Sequence, residues 1–140
     1  MITFDDTEVG TELPAGSFPI DRALLVRYAG ASGDFNPIHW NARQATEVGL
    51  PDVIAHGMLT MAEAIRVVTD WTGDPGSVVE YAVRFTRPVV VPDDGSGAVL
   101  EVTGTISQKR PEDRCVVVNL VVKSGGQTVL VKARAVVRLP

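Results

Sequence analysis

Cysteine is almost absent from this chain. Cys115 is the only one in 140 residues, so no disulfide can close within the chain and no thiolate cluster can hold a metal. It sits in an apolar run, where a thiol is expected to be inert packing. Positive charge is sparse and scattered. Thirteen Lys and Arg stand against 17 Asp and Glu, a net charge of −4, with no basic run. Nucleic-acid binding, which draws on clustered positive charge, is therefore not expected. No apolar stretch approaches the ~20 residues that cross a bilayer as a helix. Met1–Asp6 is acidic rather than basic-then-apolar, unlike a signal peptide. These features lead to the expectation of a soluble, cytoplasmic protein with no membrane partner. No glycine-rich phosphate or dinucleotide fingerprint is present, and no serine lies in a nucleophile-elbow context. With only two histidines and no zinc-type spacing, neither metal nor cofactor is expected.

What remains is an ordinary globular composition, 45% hydrophobic and 21% charged. The length fits one domain over residues 1–140, large enough to bury a real core. There is no internal repeat and no low-complexity linker. A short strand is expected near Ser17–Ile20. Asp21 then caps a helix over Leu24, Leu25, Val26 and Tyr28, which Gly30 and Gly33 end. Asn41–Val48 reads as a second short helix, closed by Gly49 and Pro51. His56–Trp71 is the strongest helix. It is apolar nearly all round, with Glu63, Arg66 and Asp70 as its one polar stripe, and is expected to be buried on most sides. The second half turns valine-rich. Strands are expected at Val78–Thr86, Ala98–Gln108, Cys115–Lys123 and Val129–Leu139, with turn signals between them. Short turns imply an antiparallel meander, so the fold class is α+β, an antiparallel sheet wrapped around a long helix.

The chemistry concentrates in Gly33-Asp34-Phe35-Asn36-Pro37-Ile38-His39. Pro37 lacks a backbone donor and pushes Asn36 toward extended geometry, so the chain bends here. A carboxylate and a neutral imidazole facing one cleft can grip a water and move its proton. The plainer reading is that Asp34 caps a turn and His39 satisfies a backbone group. Three features weigh against leaving it there. Asn36-Pro37 fixes the turn, Ile38 and Trp40 flank His39 and partly desolvate it, and the small residues from Ala29 to Gly33 permit close approach by a ligand.

A second motif is Ile54-Ala55-His56-Gly57-Met58. It opens the long helix, where unpaired N–H groups and the positive end of the dipole face outward. Gly57 leaves its amide uncovered, so an oxyanion could be held there. The alternative is a glycine needed for packing. His56 itself is expected to cap or pack rather than act as a second base. Met58 and Met61 read as core or acyl-pocket lining.

The run Tyr28–His39 resembles the signature of the MaoC-like hydratases and dehydratases, also called hydratase 2 enzymes. The similarity continues through Ile54–Thr60 and Arg84–Val89. Trp40 and Trp71–Gly76 resemble the catalytic subunit of actinobacterial (3R)-hydroxyacyl-ACP dehydratases, which serve fatty acid and mycolic acid elongation. The resemblance implies a hotdog fold and interconversion of (3R)-hydroxyacyl and trans-2-enoyl thioesters of coenzyme A or acyl carrier protein. It implies Asp34 and His39 as the catalytic pair, Asn36 as the orienting residue and Gly57 as the oxyanion site. Ile38, Ala55 and Met58 would meet the substrate. A homodimer, or a heterodimer with a second hotdog subunit, is expected.

Two rivals stay open at this point. A hotdog thioesterase would use a helix carboxylate, and Glu63 is the one in the body of the long helix. A non-catalytic acyl-binding subunit would be expected to lack Asp34 or His39. Arg84, Arg87, Lys109 and Arg110 are candidates for a phosphate or an acidic carrier surface, with solvated strand charges the plainer reading.

Overall fold

The computed structural model describes residues 2–140. Strand β1 (Gly16–Ile20) leads to helix α1 (Arg22–Ser32), a 3-10 turn at Pro37–His39, and helix α2 (Ala42–Glu47). Helices α3 (Gly57–Ala64) and α4 (Arg66–Thr72) follow. Strands β2 (Val78–Phe85), β3 (Ala98–Arg110), β4 (Cys115–Ser124) and β5 (Gln127–Arg138) complete the chain. The strands form one antiparallel sheet in the order β1-β3-β4-β5-β2.

The sheet wraps α3 and α4. Leu59, Ala64, Val67 and Val68 on the helices are buried against Leu100, Val102, Ile106, Val118, Leu120 and Leu130 of the strands. Strand β3 alternates buried and exposed residues over most of its length, as one sheet face turned to the core requires. Cys115 is fully buried at the start of β4, between Val117 and Val136.

Two expectations are corrected. The helix over His56–Trp71 is two segments joined at Ile65. The Met61 carbonyl at this joint accepts both the Ile65 N–H at 3.3 Å and the Tyr81 hydroxyl at 3.0 Å. Only β3, β4 and β5 form a meander. Strand β2 pairs with β5 at the sheet edge rather than with β3. The connection from Thr86 to Gly97 is no tight turn. It buries Val89 and Val91 and bridges Ile54 through Val90, which carries the chain across the molecule.

Candidate active site

Three local structures build the site. The first is the end of α1. Asp21 caps its start by accepting from the Leu24 N–H at 2.7 Å. Gly33 ends it in the left-handed region, at φ 77°, where a Cβ is disfavoured. The chain thereby leaves the helix and turns at Asp34.

The second is the Asp34–His39 turn. The Asp34 Oδ1 accepts from the Asn36 N–H at 3.1 Å, and the Asn36 Oδ1 accepts from the Ile38 N–H at 3.3 Å. The Asn36 carbonyl accepts the His39 N–H at 3.1 Å. Asn36 thus ties the Asp34 carboxylate to the turn that carries His39. Trp40 folds back to donate its indole N–H to the Phe35 carbonyl and stays half exposed.

The third is the segment from Val53 to Gly57. It lies between the His39 turn and the crossing chain, with Ile54 N–H on the Ile38 carbonyl and Ala55 N–H on the Val89 carbonyl. Its Ile54 carbonyl lies 2.7 Å from the His39 Nδ1. A carbonyl only accepts, so Nδ1 carries the proton and Nε2 of the neutral ring is bare. That bare Nε2 lies 3.9 Å from the Asp34 Oδ2. The distance is too long for a direct hydrogen bond and suits one bridging molecule. His39 is buried, whereas the Asp34 side chain is half exposed.

His39, Ile54, Ala55, Gly57 and Thr60 line a pocket of about 260 Å³ with Phe85, Thr86, Arg87, Pro88, Val89 and Leu130. Gly57 opens α3, so its N–H has no acceptor within the helix. A methyl built on Gly57 would stand 3.1 Å from the Phe85 ring. The glycine therefore serves both the amide's exposure and the ring's close approach.

The sequence-derived residues separate accordingly. His39 and Gly57 line the pocket; Asp34 and Asn36 do not, and Asp34 meets the site through the His39 Nε2 at 3.9 Å. Ala55 is buried in the pocket wall. Ile38 is half buried behind the turn, and Met58 is 58% exposed; neither lines this pocket. Thr60 and Phe85 do line it, from within the segments that carry the family similarity, as does Leu130, which no motif singled out. Among the basic candidates, Arg87 lies at the pocket and donates to the Thr128 carbonyl. Lys109 is spent on the Phe4 and Thr7 carbonyls, and Arg110 on Asp113. His56 makes no capping bond at the start of α3. It is buried and stacked on His39, with ring centroids 3.9 Å apart.

A family model, the MaoC like domain, matches residues 6–125. The chain belongs to that family. It is 31% identical to an (R)-specific enoyl-CoA hydratase of Rhodospirillum rubrum, over 94% of this chain and 92% of the relative. It is 43% identical over 79 residues to a 3-hydroxyacyl-thioester dehydratase X of Mycobacterium tuberculosis, covering 56% of this chain and 27% of that protein. Among solved structures, a MaoC-like dehydratase superposes with a TM-score of 0.94 at 43% identity, over 99% of this chain and 42% of the other. The chain thus spans less than half the length of these last two relatives. The five-stranded sheet around α3 and α4 is the hotdog fold. No helix among the described residues is long and apolar enough to cross a membrane.

Proposed function

We propose that this MaoC-like chain adds water reversibly to trans-2-enoyl thioesters, giving (3R)-hydroxyacyl thioesters. The observation that carries the reading is a pair of free acceptors set face to face. The His39 Nε2 is bare because Nδ1 donates to Ile54, and the Asp34 Oδ2 faces it at 3.9 Å. One water can donate its two O–H bonds to these two acceptors. Its oxygen lone pair then points away from both, free to attack C3.

As the water oxygen bonds to C3, the double-bond electrons move toward the thioester oxygen. In this reading the Gly57 N–H, unpaired at the start of α3, holds that developing negative charge. The pair takes a proton from the water and hands it on to C2, so the pair ends as it began and the thioester stays intact. Dehydration is the same path reversed. No electrons leave the substrate, so the reaction calls on no redox centre.

The (R) outcome and the thioester class follow the Rhodospirillum relative, whose name carries both. The thioesterase alternative loses its carboxylate. Glu63 is paired with Arg66 at 2.8 Å, whereas the Asp34 Oδ2 faces His39, which lines the pocket. The partner is a second hotdog domain, in a homodimer or heterodimer. Relatives more than twice as long as this chain have room for such a domain. The finer kinship with the catalytic subunit of (3R)-hydroxyacyl-ACP dehydratases, in fatty acid metabolism of the cytoplasm, is read from Trp40 and Trp71–Gly76, and the Mycobacterium relative, a 3-hydroxyacyl-thioester dehydratase, supports the reaction class.

The assay follows loss of conjugated-enoyl absorbance and release of thiol from a trans-2-enoyl-CoA, with the protein alone and with candidate hotdog partners. Absorbance loss without thiol is expected. Thiol release would transfer the chain to the thioesterases.

A further inference from the structure

We propose that His56 is a positioning residue for the Asp34–His39 pair, holding the Asp34 backbone and backing the His39 ring in the opposite tautomer. The inference rests on the hydration reading, in which the Asp34–His39 pair exchanges a proton and His56 does not.

The tautomer follows from the contacts. His56 is 1% exposed, and its Nε2 lies 3.1 Å from the Asp34 carbonyl. A carbonyl only accepts, so Nε2 carries the proton. The Nδ1 on the opposite side is buried without a hydrogen-bond partner. A proton there would create a charged, unpaired donor in an apolar place, which is strongly disfavoured. His56 is therefore held as the Nε2–H form, and His39, through Ile54, as the Nδ1–H form. The two rings stack 23° from parallel, in opposite tautomers.

Each contact serves the pair. The Nε2–H bond fixes the backbone of Asp34, so that its carboxylate stays opposite the bare nitrogen of His39. The stacked face stops the His39 ring from tilting away from the pocket. Tyr28 of α1 closes the other side of His56, edge-on at 4.8 Å. Tyr28, Asp34 and His39 are the titratable groups in contact with the ring. Burial pushes the His56 imidazole below its ordinary range, and His39 pushes the same way. The bond to the Asp34 carbonyl and the Asp34 charge oppose this without reversing it.

The chain holds only these two histidines, so long-range proton–nitrogen NMR of the wild-type protein resolves both rings. We expect one Nδ1–H ring and one Nε2–H ring at neutral pH, with the Nε2–H ring taking up a second proton only at lower pH than an ordinary histidine. Two variants separate donor from face. His56→Gln keeps a donor near the position of Nε2. His56→Phe keeps the stacking face and loses the donor. We expect His56→Phe to lose about 10²-fold in kcat with KM little changed, and His56→Gln to lose less than about 10-fold, as small misplacements of reacting groups do. In His56→Phe the acid limb of the kcat/KM profile also moves, because the carboxylate is no longer held opposite His39. A charged or Nδ1–H ring at His56 at neutral pH overturns the proposal whatever the activity. Wild-type turnover by folded His56→Phe overturns it and leaves hydration standing. Failure of the wild-type protein, with or without a hotdog partner, to hydrate any enoyl thioester removes the hydration reading and the positioning role together.

Discussion

Asp34 and His39 each divide their two polar atoms between the fold and the cleft. One oxygen of Asp34 caps the turn while the other faces His39. One nitrogen of His39 satisfies a backbone carbonyl while the other stays bare. The plain structural reading of the motif and the proposed chemical one therefore fall on different atoms. Asp34→Asn keeps the capping oxygen and removes the charge. It should lower turnover by about 10²- to 10⁴-fold, the usual worth of a positioned proton-transfer group, with an unchanged circular dichroism spectrum. His39→Ala should lose a similar factor. Gly57→Ala puts a methyl against Phe85 and crowds the amide. A loss of about 10²- to 10³-fold in kcat is expected there, as when one oxyanion donor is removed; steady-state kinetics on an enoyl thioester checks it. His56 adds a pH dependence to stability. Its folded-state value is depressed by burial, so the folded protein binds fewer protons than the unfolded chain. The stabilisation is complete above the ordinary histidine value of about 6.5 and is lost as pH falls through that value toward the depressed one. Thermal unfolding midpoints measured from neutral to acidic pH should fall in the wild type, and fall less in His56→Gln.

At the scale of elements, local signals placed most boundaries. Asp21 and Gly33 carry the cap chemistry that starts and ends α1, and both act there in the structure. The valine-rich runs gave β2 to β5 within one or two residues at each end. The break at Ile65 was not legible, because its neighbours are all helix-compatible and its extra partner, the Tyr81 hydroxyl, comes from another element. The crossing of the chain between β2 and β3 was hidden for a related reason. Pro92-Asp93-Asp94-Gly95 is a turn signal, but the buried Val89 and Val91 beside it choose a long path. The pocket lining was legible within the matched motifs, as with His39, Gly57 and Phe85, and silent outside them, as with Leu130, an apolar residue in a valine-rich strand. Met58 shows the converse: its apolar character suggested the pocket, yet it faces outward. Two substitutions test the elements. Gly33→Ala forces a Cβ into the left-handed region and should cost about 1–2 kcal/mol, moving Asp34 with it; denaturant melts and activity should fall together. Leu59→Ala leaves a hole between α3 and the sheet and should cost about 2–5 kcal/mol in the same melts.

For the molecule as a whole, the sheet ends in β1 on one side and β2 on the other. Strand β2 runs into Phe85 at the pocket, so the pocket wall lies at that edge. An unpaired strand edge readily accepts another strand. A second hotdog domain seated there would sit beside the site, and a solution mass of about twice 15.0 kDa, or association with a hotdog partner, is the expected result. The central claim is that the Asp34–His39 pair delivers water to carbon and not to the thioester carbonyl. Turnover of a trans-2-enoyl thioester in oxygen-18 water, read by fragment mass spectrometry, tests it directly. The account predicts the label in a C3 hydroxyl of an intact thioester, and its disappearance in Asp34→Asn. Label in the carboxylate of a released free acid would contradict it.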